Sequence, residues 1–351
     1  MGAISLTLIF IFKQCLGFLV LIRSSIILCT LILVGLTASQ ESYALCQEKA
    51  KSDLAAVREI MDTRSVAALA DWEEVKSSAD YIQYKGRLNF ALAQYDIQQK
   101  VEFLYYKSSV TVETGEPAPL IFIMSSIAGT TQAEKHIARY LAKQGISTVV
   151  SFFREHEGED EGPDIANTWI DIAVSMTAQM SLIDFFETLP EVRADAMGMI
   201  GISLGGIRGT FVMGVEPRLK AATLVVSGGD FYDIMATSQN PAVKKIRLQQ
   251  MESLGLSSVE AYRDVLQGYQ QYNALDLICE RDSEEVQLFV DRRDKTVPYP
   301  TQQQLQQALG ASSVYESNLG HLGGVLWYLA RHVQTSVDFF TERWGISEGN
   351  R

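Results

Sequence analysis

The chain is 351 residues long, 47% hydrophobic and 21% charged, which is enough apolar material to bury the core of one large α/β domain. Its formal net charge of −12, with no Lys/Arg-rich run, excludes nucleic acid as an expected partner because a phosphate backbone would be repelled. The four histidines, at 136, 156, 321 and 332, are scattered and no Cys/His spacing suits a metal, so no metal or other cofactor is expected.

Residues 3–37 are almost wholly apolar, broken mainly by Lys13, Gln14, Arg23 and Ser24. A secretory signal fits best, with Arg23 as the charged flank, Ile26 to Leu36 as the apolar core and Ser42-Tyr43-Ala44 as a small-x-small cleavage site. Cleavage would fall after Ala44, and residues 1–22 then reflect an upstream start or an unusually long signal. The alternative is an uncleaved membrane anchor, since the run is long enough to span a bilayer, although two basic residues weaken that reading. A lipoprotein signal through Cys46 is disfavoured by Leu45 before it. The expected location is thus periplasmic or secreted, with membrane association through residues 1–44 as the alternative. Cys15 and Cys29 lie in this leader, leaving Cys46 and Cys279 in the remainder. They could pair in an oxidising compartment or stay separate thiols.

Residues 45–118 read as a helical lead-in and an antiparallel entry to a sheet. From Gln47 to about Ala79 the pattern is helical and charged, with Leu54, Val57, Ile60 and Met61 on one stripe. Leu88 to Asp96 and Lys100 to Lys107 read as strands, and Glu113 to Pro119 as a turn. Residues 119–351 then alternate strand-length apolar runs with amphipathic helices, the pattern of a mostly parallel sheet covered on both faces. The expected strands are Leu120 to Met124, Ser147 to Phe153, Met197 to Ile202, Ala222 to Ser227, Val286 to Val290 and Val314 to Glu316. Helices are expected over 131–143, 165–188, 204–214, 300–309 and 324–343. Residues 231–285 form an insertion with helical periodicity, a candidate lid.

Gly201-Ile202-Ser203-Leu204-Gly205 stands between the Met197 to Ile202 strand and a helix. A serine hydroxyl is a weak nucleophile and needs a base, an orienting acid and N–H donors at one point. Glycines at 201 and 205 relieve the crowding of a tight strand-to-helix turn, and Gly206 adds room for close packing, so Ser203 reads as a nucleophile on an elbow.

With that motif, residues from about 119 to 345 resemble the α/β-hydrolase superfamily, especially its dienelactone-hydrolase-like and acyl-thioesterase-like esterases. The resemblance implies an acid after a late strand in a D-x-x-V-P-like stretch. Asp294, in Asp291-Arg-Arg-Asp294-Lys-Thr-Val297-Pro298, matches it. Asp291, at the strand end, is the close competitor, and Asp230, after the preceding strand, the unusual-position alternative. The resemblance also implies a histidine in a loop after the last strand, where Gly320-His321-Leu322-Gly323 stands. The order Ser203, Asp294, His321 agrees with that of the fold. The oxyanion donors would be the N–H of Leu204 and a second N–H from Ser125-Ser126-Ile127-Ala128-Gly129, with Ser126 and Ile127 both open. Many relatives have His-Gly there and this chain does not.

The acidic run from Glu155 to Glu161, with Asp164 nearby, reads as a solvated loop rather than a cation site, and beside a pocket it would disfavour anionic substrates. The expected activity is hydrolysis of a small-molecule carboxylic ester or thioester through an acyl-enzyme. Peptidase or acyltransferase chemistry would use the same residues, and a catalytically silent binding protein is the alternative from another class.

Overall fold

The computed structural model describes residues 48–65, 67–126, 131–152, 165, 168–278, 280–310 and 313–346. The leader, Cys46 and Cys279, Ile127 and the acidic run at 155–161 lie outside them. The chain divides into two units, Met1–Lys49 and Ala50–Arg351, and the second carries the fold.

A nine-stranded sheet runs in the order β1-β2-β3-β5-β4-β6-β7-β8-β9. Its first three strands, β1 (Ala68–Ser77), β2 (Tyr81–Leu92) and β3 (Ile97–Ser108), pair antiparallel, and β3 pairs antiparallel with β5 (Ser147–Phe152). The remaining strands, β4 (Ala118–Met124), β6 (Val192–Ile202), β7 (Leu219–Val225), β8 (Val286–Asp291) and β9 (Ser313–Ser317), are parallel to β5 and to one another.

The period-2 geometry of a strand sends alternate side chains to opposite faces. In β4, Leu120, Phe122 and Met124 enter one apolar cluster while Ile121 and Ile123 enter the other. The first cluster is covered by α4 (Thr168–Glu187), α5 (Leu204–Val215) and α10 (Tyr299–Leu309). The second is covered by α3 (Gln132–Lys143), α11 (His321–Arg331) and α12 (Val333–Arg343). Burial on both faces is why these strands are continuous apolar runs rather than alternating ones. Helix α4 is buried along most of its twenty residues, so it is apolar nearly all round instead of striped.

Three expectations change. The helical lead-in, α1, covers residues 48–62, with Leu54, Val57, Ile60 and Met61 buried as its stripe requires. The segment read as its continuation is strand β1. There Trp72 stacks on Tyr84 of β2 at 5.1 Å between ring centroids and meets Phe185 and Phe186 of α4, so aromatic packing across strands overrides a weak helical pattern. The turn expected at 113–119 includes the end of a short helix, α2 (Ser109–Thr114). The expected last helix is two, α11 and α12, separated at His332, whose backbone (φ −125°, ψ 3°) leaves the helical path. The insertion after β7 folds as α6 (Phe231–Thr237), α7 (Pro241–Ser253), α8 (Val259–Tyr269) and α9 (Ala274–Ile278).

Helix α3 follows β4 over one face and α4 follows β5 over the other, while β6 returns to the far side of β4. Between the C-terminal ends of β4 and β6 the connections diverge, which opens the crevice where ligands bind in open α/β sheets.

Arg281, just after α9 within the insertion, ties it to the end of α5. Its guanidinium donates to the carbonyls of Met213 (2.6 Å), Glu216 (2.5 Å) and Leu219 (3.4 Å) and to the Glu285 carboxylate (3.2 Å). Two of these are carbonyls at or just beyond the last turn of α5, which no intrahelical donor reaches. Arg281→Met is expected to lower unfolding stability by about 2–3 kcal/mol, read from the urea midpoint at unchanged slope.

Candidate active site

Ser203 joins β6 to α5 with φ 55° and ψ −120°, a conformation that costs a non-glycine residue about 1–3 kcal/mol. The surroundings enforce it. Its N–H donates to the Val225 carbonyl (2.9 Å), and its own carbonyl accepts from the N–H groups of Gly206 (2.9 Å) and Ile207 (3.0 Å). A Cβ at position 201 would stand 2.6 Å from the Gly206 Cα, and one at 205 would stand 2.1 Å from the Met124 carbonyl oxygen. Helix α5 therefore begins pressed against the end of β4, and only glycine fits at these contacts.

Asp294 follows β8 in a turn that its own carboxylate closes, with Oδ1 accepting from the N–H groups of Thr296 (2.8 Å) and Val297 (3.0 Å). Its other oxygen, Oδ2, accepts from Gln302 Nε2 (3.1 Å) and lies 2.7 Å from His321 Nδ1. The Asp294 side chain is fully buried and the His321 ring is 22% exposed. With the Nδ1 proton given to the carboxylate, Nε2 is left as the acceptor. His321 is not in a loop but is the first residue of α11, after Gly320 at φ 80°.

Asp291 and Asp230, the competing acids, are committed elsewhere. Asp291 Oδ1 accepts from the N–H groups of Arg293 (2.8 Å) and Gly320 (2.9 Å). Its Oδ2 accepts from Ser317 Oγ (2.6 Å) and the Leu319 N–H (2.7 Å). It thus holds the segment that presents His321. Asp230 caps α6 through the Asp233 N–H (2.9 Å) and accepts from Asn273 Nδ2 (3.1 Å), and burial raises its carboxyl above the usual range.

The last residue of β7 and the one after it link the two sides of the site. Val225 accepts the Ser203 N–H, the Val226 N–H donates to Phe289 of β8 (2.7 Å), and a Cβ on Gly324 of α11 would stand 2.9 Å from Val226 Cγ1. On the oxyanion side, Leu204 opens α5, where an N–H has no intrahelical acceptor. The Ser126 N–H is directed at the Glu134 carboxylate at 3.3 Å, and Ile127 lies outside the described residues. Glu134 also accepts from the Thr131 N–H, closing the capping box that starts α3.

A cavity of about 150 Å³ adjoins Ser203 and Leu204. Ile207, Arg208 and Phe211 of α5 continue it along one helix face. Thr168, Asp171 and Ile172 of α4 face it, Thr296 and Val297 extend it from the Asp294 turn, and Phe231, Tyr232, Val243, Ile246 and Leu266 close it from the insertion. The Asp294 turn and Ser203 therefore border one cavity. Gln302, Asp171 and Arg208 carry no sequence signal. Gln302 sits in a glutamine run, and its role exists only because α10 brings its amide between Asp294, the Val297 carbonyl (2.7 Å) and the Asp291 N–H (3.0 Å). Among the described residues no group of side chains suited to a metal ion occurs, and no helix is long and apolar enough to cross a membrane.

Burial alone would raise the Asp291 carboxyl, but the hydrogen bonds from Ser317, Leu319, Arg293 and Gly320 outweigh it and hold the group below its ordinary range. A depressed folded-state pKa contributes stability that is present above the unfolded value of about 3.9 and is lost as pH falls through the folded value. Asp291→Asn is therefore expected to be less stable than the wild type at pH 7, with the gap narrowing below about pH 4. Urea unfolding at both pH values checks this, and a gap independent of pH would contradict it.

No protein-family model and no curated protein sequence matches the chain, but solved structures do. Acetyl xylan esterase 1 from Thermoanaerobacterium sp. JW/SL YS485 superposes with a TM-score of 0.61 at 16% identity, over 83% of this chain and 93% of that one. An acetyl xylan esterase from Paenibacillus sp. R4 gives 0.59 at 14% identity, over 82% and 92%. A cold-adapted esterase from an Arctic intertidal metagenomic library gives 0.51 at 15% identity, over 78% and 99%. Identities this low speak for architecture alone. With the mostly parallel sheet, the helices on both faces and the strained serine turn after β6, the chain has the α/β-hydrolase fold.

Proposed function

We propose that the protein is a serine hydrolase that cleaves carboxylic esters of small molecules, with Ser203 as nucleophile, His321 as general base and Asp294 as the acid that orients it. The observation that carries this reading is the 2.7 Å Asp294 Oδ2–His321 Nδ1 contact, at the strand-end rim where Ser203 is held in its strained turn. The esterase activity of the structural neighbours agrees with it.

In this mechanism His321 Nε2 takes the Ser203 proton as Oγ attacks the ester carbonyl. The oxyanion is stabilised by the Leu204 N–H and a second donor from the loop after β4, residues 125–127. Collapse expels the alcohol, which leaves with the proton from His321. A water then repeats the sequence, freeing the acid and regenerating Ser203. The α6–α9 insertion acts in this reading as a lid over the acyl group. Thioesters present the same carbonyl to the same residues, so only the leaving group separates the two substrates.

A fluorophosphonate probe is expected to label the wild type and not Ser203→Ala. With a nitrophenyl ester, Ser203→Ala and His321→Ala are expected to lose most of kcat, and Asp294→Asn about 10⁴-fold, the order seen when a triad acid is neutralised. Well-folded protein that takes no label would sink the enzyme reading and leave a binding role for the fold.

Export belongs to the same proposal, supported by the apolar leader and Ser42-Tyr43-Ala44. Mass spectrometry of the protein from its producing cell is expected to find Leu45 at the N-terminus, and an intact leader would show an anchor instead.

A further inference from the structure

Gln302, near the start of α10, is completely buried, and a buried amide that left its polar atoms unmatched would lose their hydration without return. Each of its polar atoms is matched. Nε2 carries two protons and gives them to the Val297 carbonyl (2.7 Å) and to Asp294 Oδ2 (3.1 Å), while Oε1 accepts from the Asp291 N–H (3.0 Å). Exchanging the amide oxygen and nitrogen would set an oxygen against two acceptors and an N–H against an N–H, so only one orientation fits. Gln302 therefore clasps the turn after β8 at Asp291, at Val297 and at Asp294 between them.

The two oxygens of Asp294 are held in different ways. Oδ1 accepts from two backbone N–H groups of its own turn, Thr296 and Val297, whereas the partners of Oδ2 are side chains, Gln302 and His321. Rotation of a carboxylate about its last bond is soft, so the two bonds to Oδ1 leave the direction of Oδ2 to whatever grips it. His321 is the group being aimed, on a ring still 22% exposed. The Gln302 amide, tied at three points in the interior, supplies the grip. We propose that Gln302 is a positioning residue for ester hydrolysis: its Nε2 holds Asp294 Oδ2 on His321 Nδ1, and through that contact holds the imidazole for Ser203. The assignment rests on the hydrolase reading of Ser203, and Gln302 acts in it only through Asp294. The next residue of the same glutamine run, Gln303, is exposed and has no part in it.

The test measures kcat and KM of the purified protein on a nitrophenyl ester for Gln302→Met and Gln302→Leu, which remove the amide at similar volume, with Gln303→Met as the control. In both Gln302 variants kcat is expected to fall about 10- to 100-fold, the order that a misplacement of about 1 Å costs. KM is expected to stay within about twofold of the wild type, the pattern of an interaction that serves the transition state alone. The downfield proton resonance of the Nδ1–Oδ2 hydrogen bond is expected to shift or vanish in both, and Gln303→Met to match the wild type in every reading. A folded Gln302 variant with kcat within about twofold of the wild type, or with a raised KM alone, overturns the assignment. Failure of both variants to fold by circular dichroism overturns it as well, since Gln302 would then be a requirement of the fold. Either result, with wild type that takes the fluorophosphonate label, leaves the hydrolase reading intact. Folded wild type that takes no label overturns the hydrolase reading, and this assignment with it.

Discussion

Burial of the parallel strands on both faces is the constraint on which the site depends. Strand residues such as Phe122, Val149 and Ile200 are enclosed by helices, so polar side chains gather at the strand ends. The C-terminal rim offers turns and helix starts whose first N–H groups have no intrahelical acceptor, and Ser203, Asp291, Asp294 and His321 all stand there. The site is thus a consequence of how the sheet is covered.

Two carboxylates three residues apart divide the labour after β8. Asp291 spends all its acceptor capacity on backbone and Ser317, which fixes the segment leading to His321. Asp294 closes its own turn with one oxygen and turns the other to the imidazole. Gln302 connects the pair by accepting from the Asp291 N–H and donating to Asp294 Oδ2. A ring held at Nδ1 by a buried carboxylate, at the end of a segment pinned by a second one, is oriented before any ligand arrives.

The insertion is built into the domain. Arg247 donates to the carbonyls of Met235, Ala236 and Ser238, joining α7 to the end of α6. Arg281 joins the chain beyond α9 to the end of α5. The wall it presents to the cavity is therefore fixed relative to the helix that begins at Ser203.

The serine turn was legible because its chemistry is local: glycines at 201, 205 and 206 surround a serine between an apolar strand and a helix, and each glycine answers a contact that a Cβ would violate. The alternation of buried strands and helices was legible for a similar reason, since burial on two faces leaves an uninterrupted apolar run. Strand β1 was not, because its reason for being a strand is Trp72 against Tyr84 and α4, partners 12 to 114 residues away in the chain. The choice among Asp230, Asp291 and Asp294 likewise needed distances, as all three follow strands and only hydrogen bonds tell them apart. By itself the sequence determined the fold class and the position of the elbow, which are set by neighbouring residues and local steric limits. Tertiary structure alone decided which acid meets His321, what Gln302 does and which charges line the cavity, because those contacts join segments that only the closed sheet brings together.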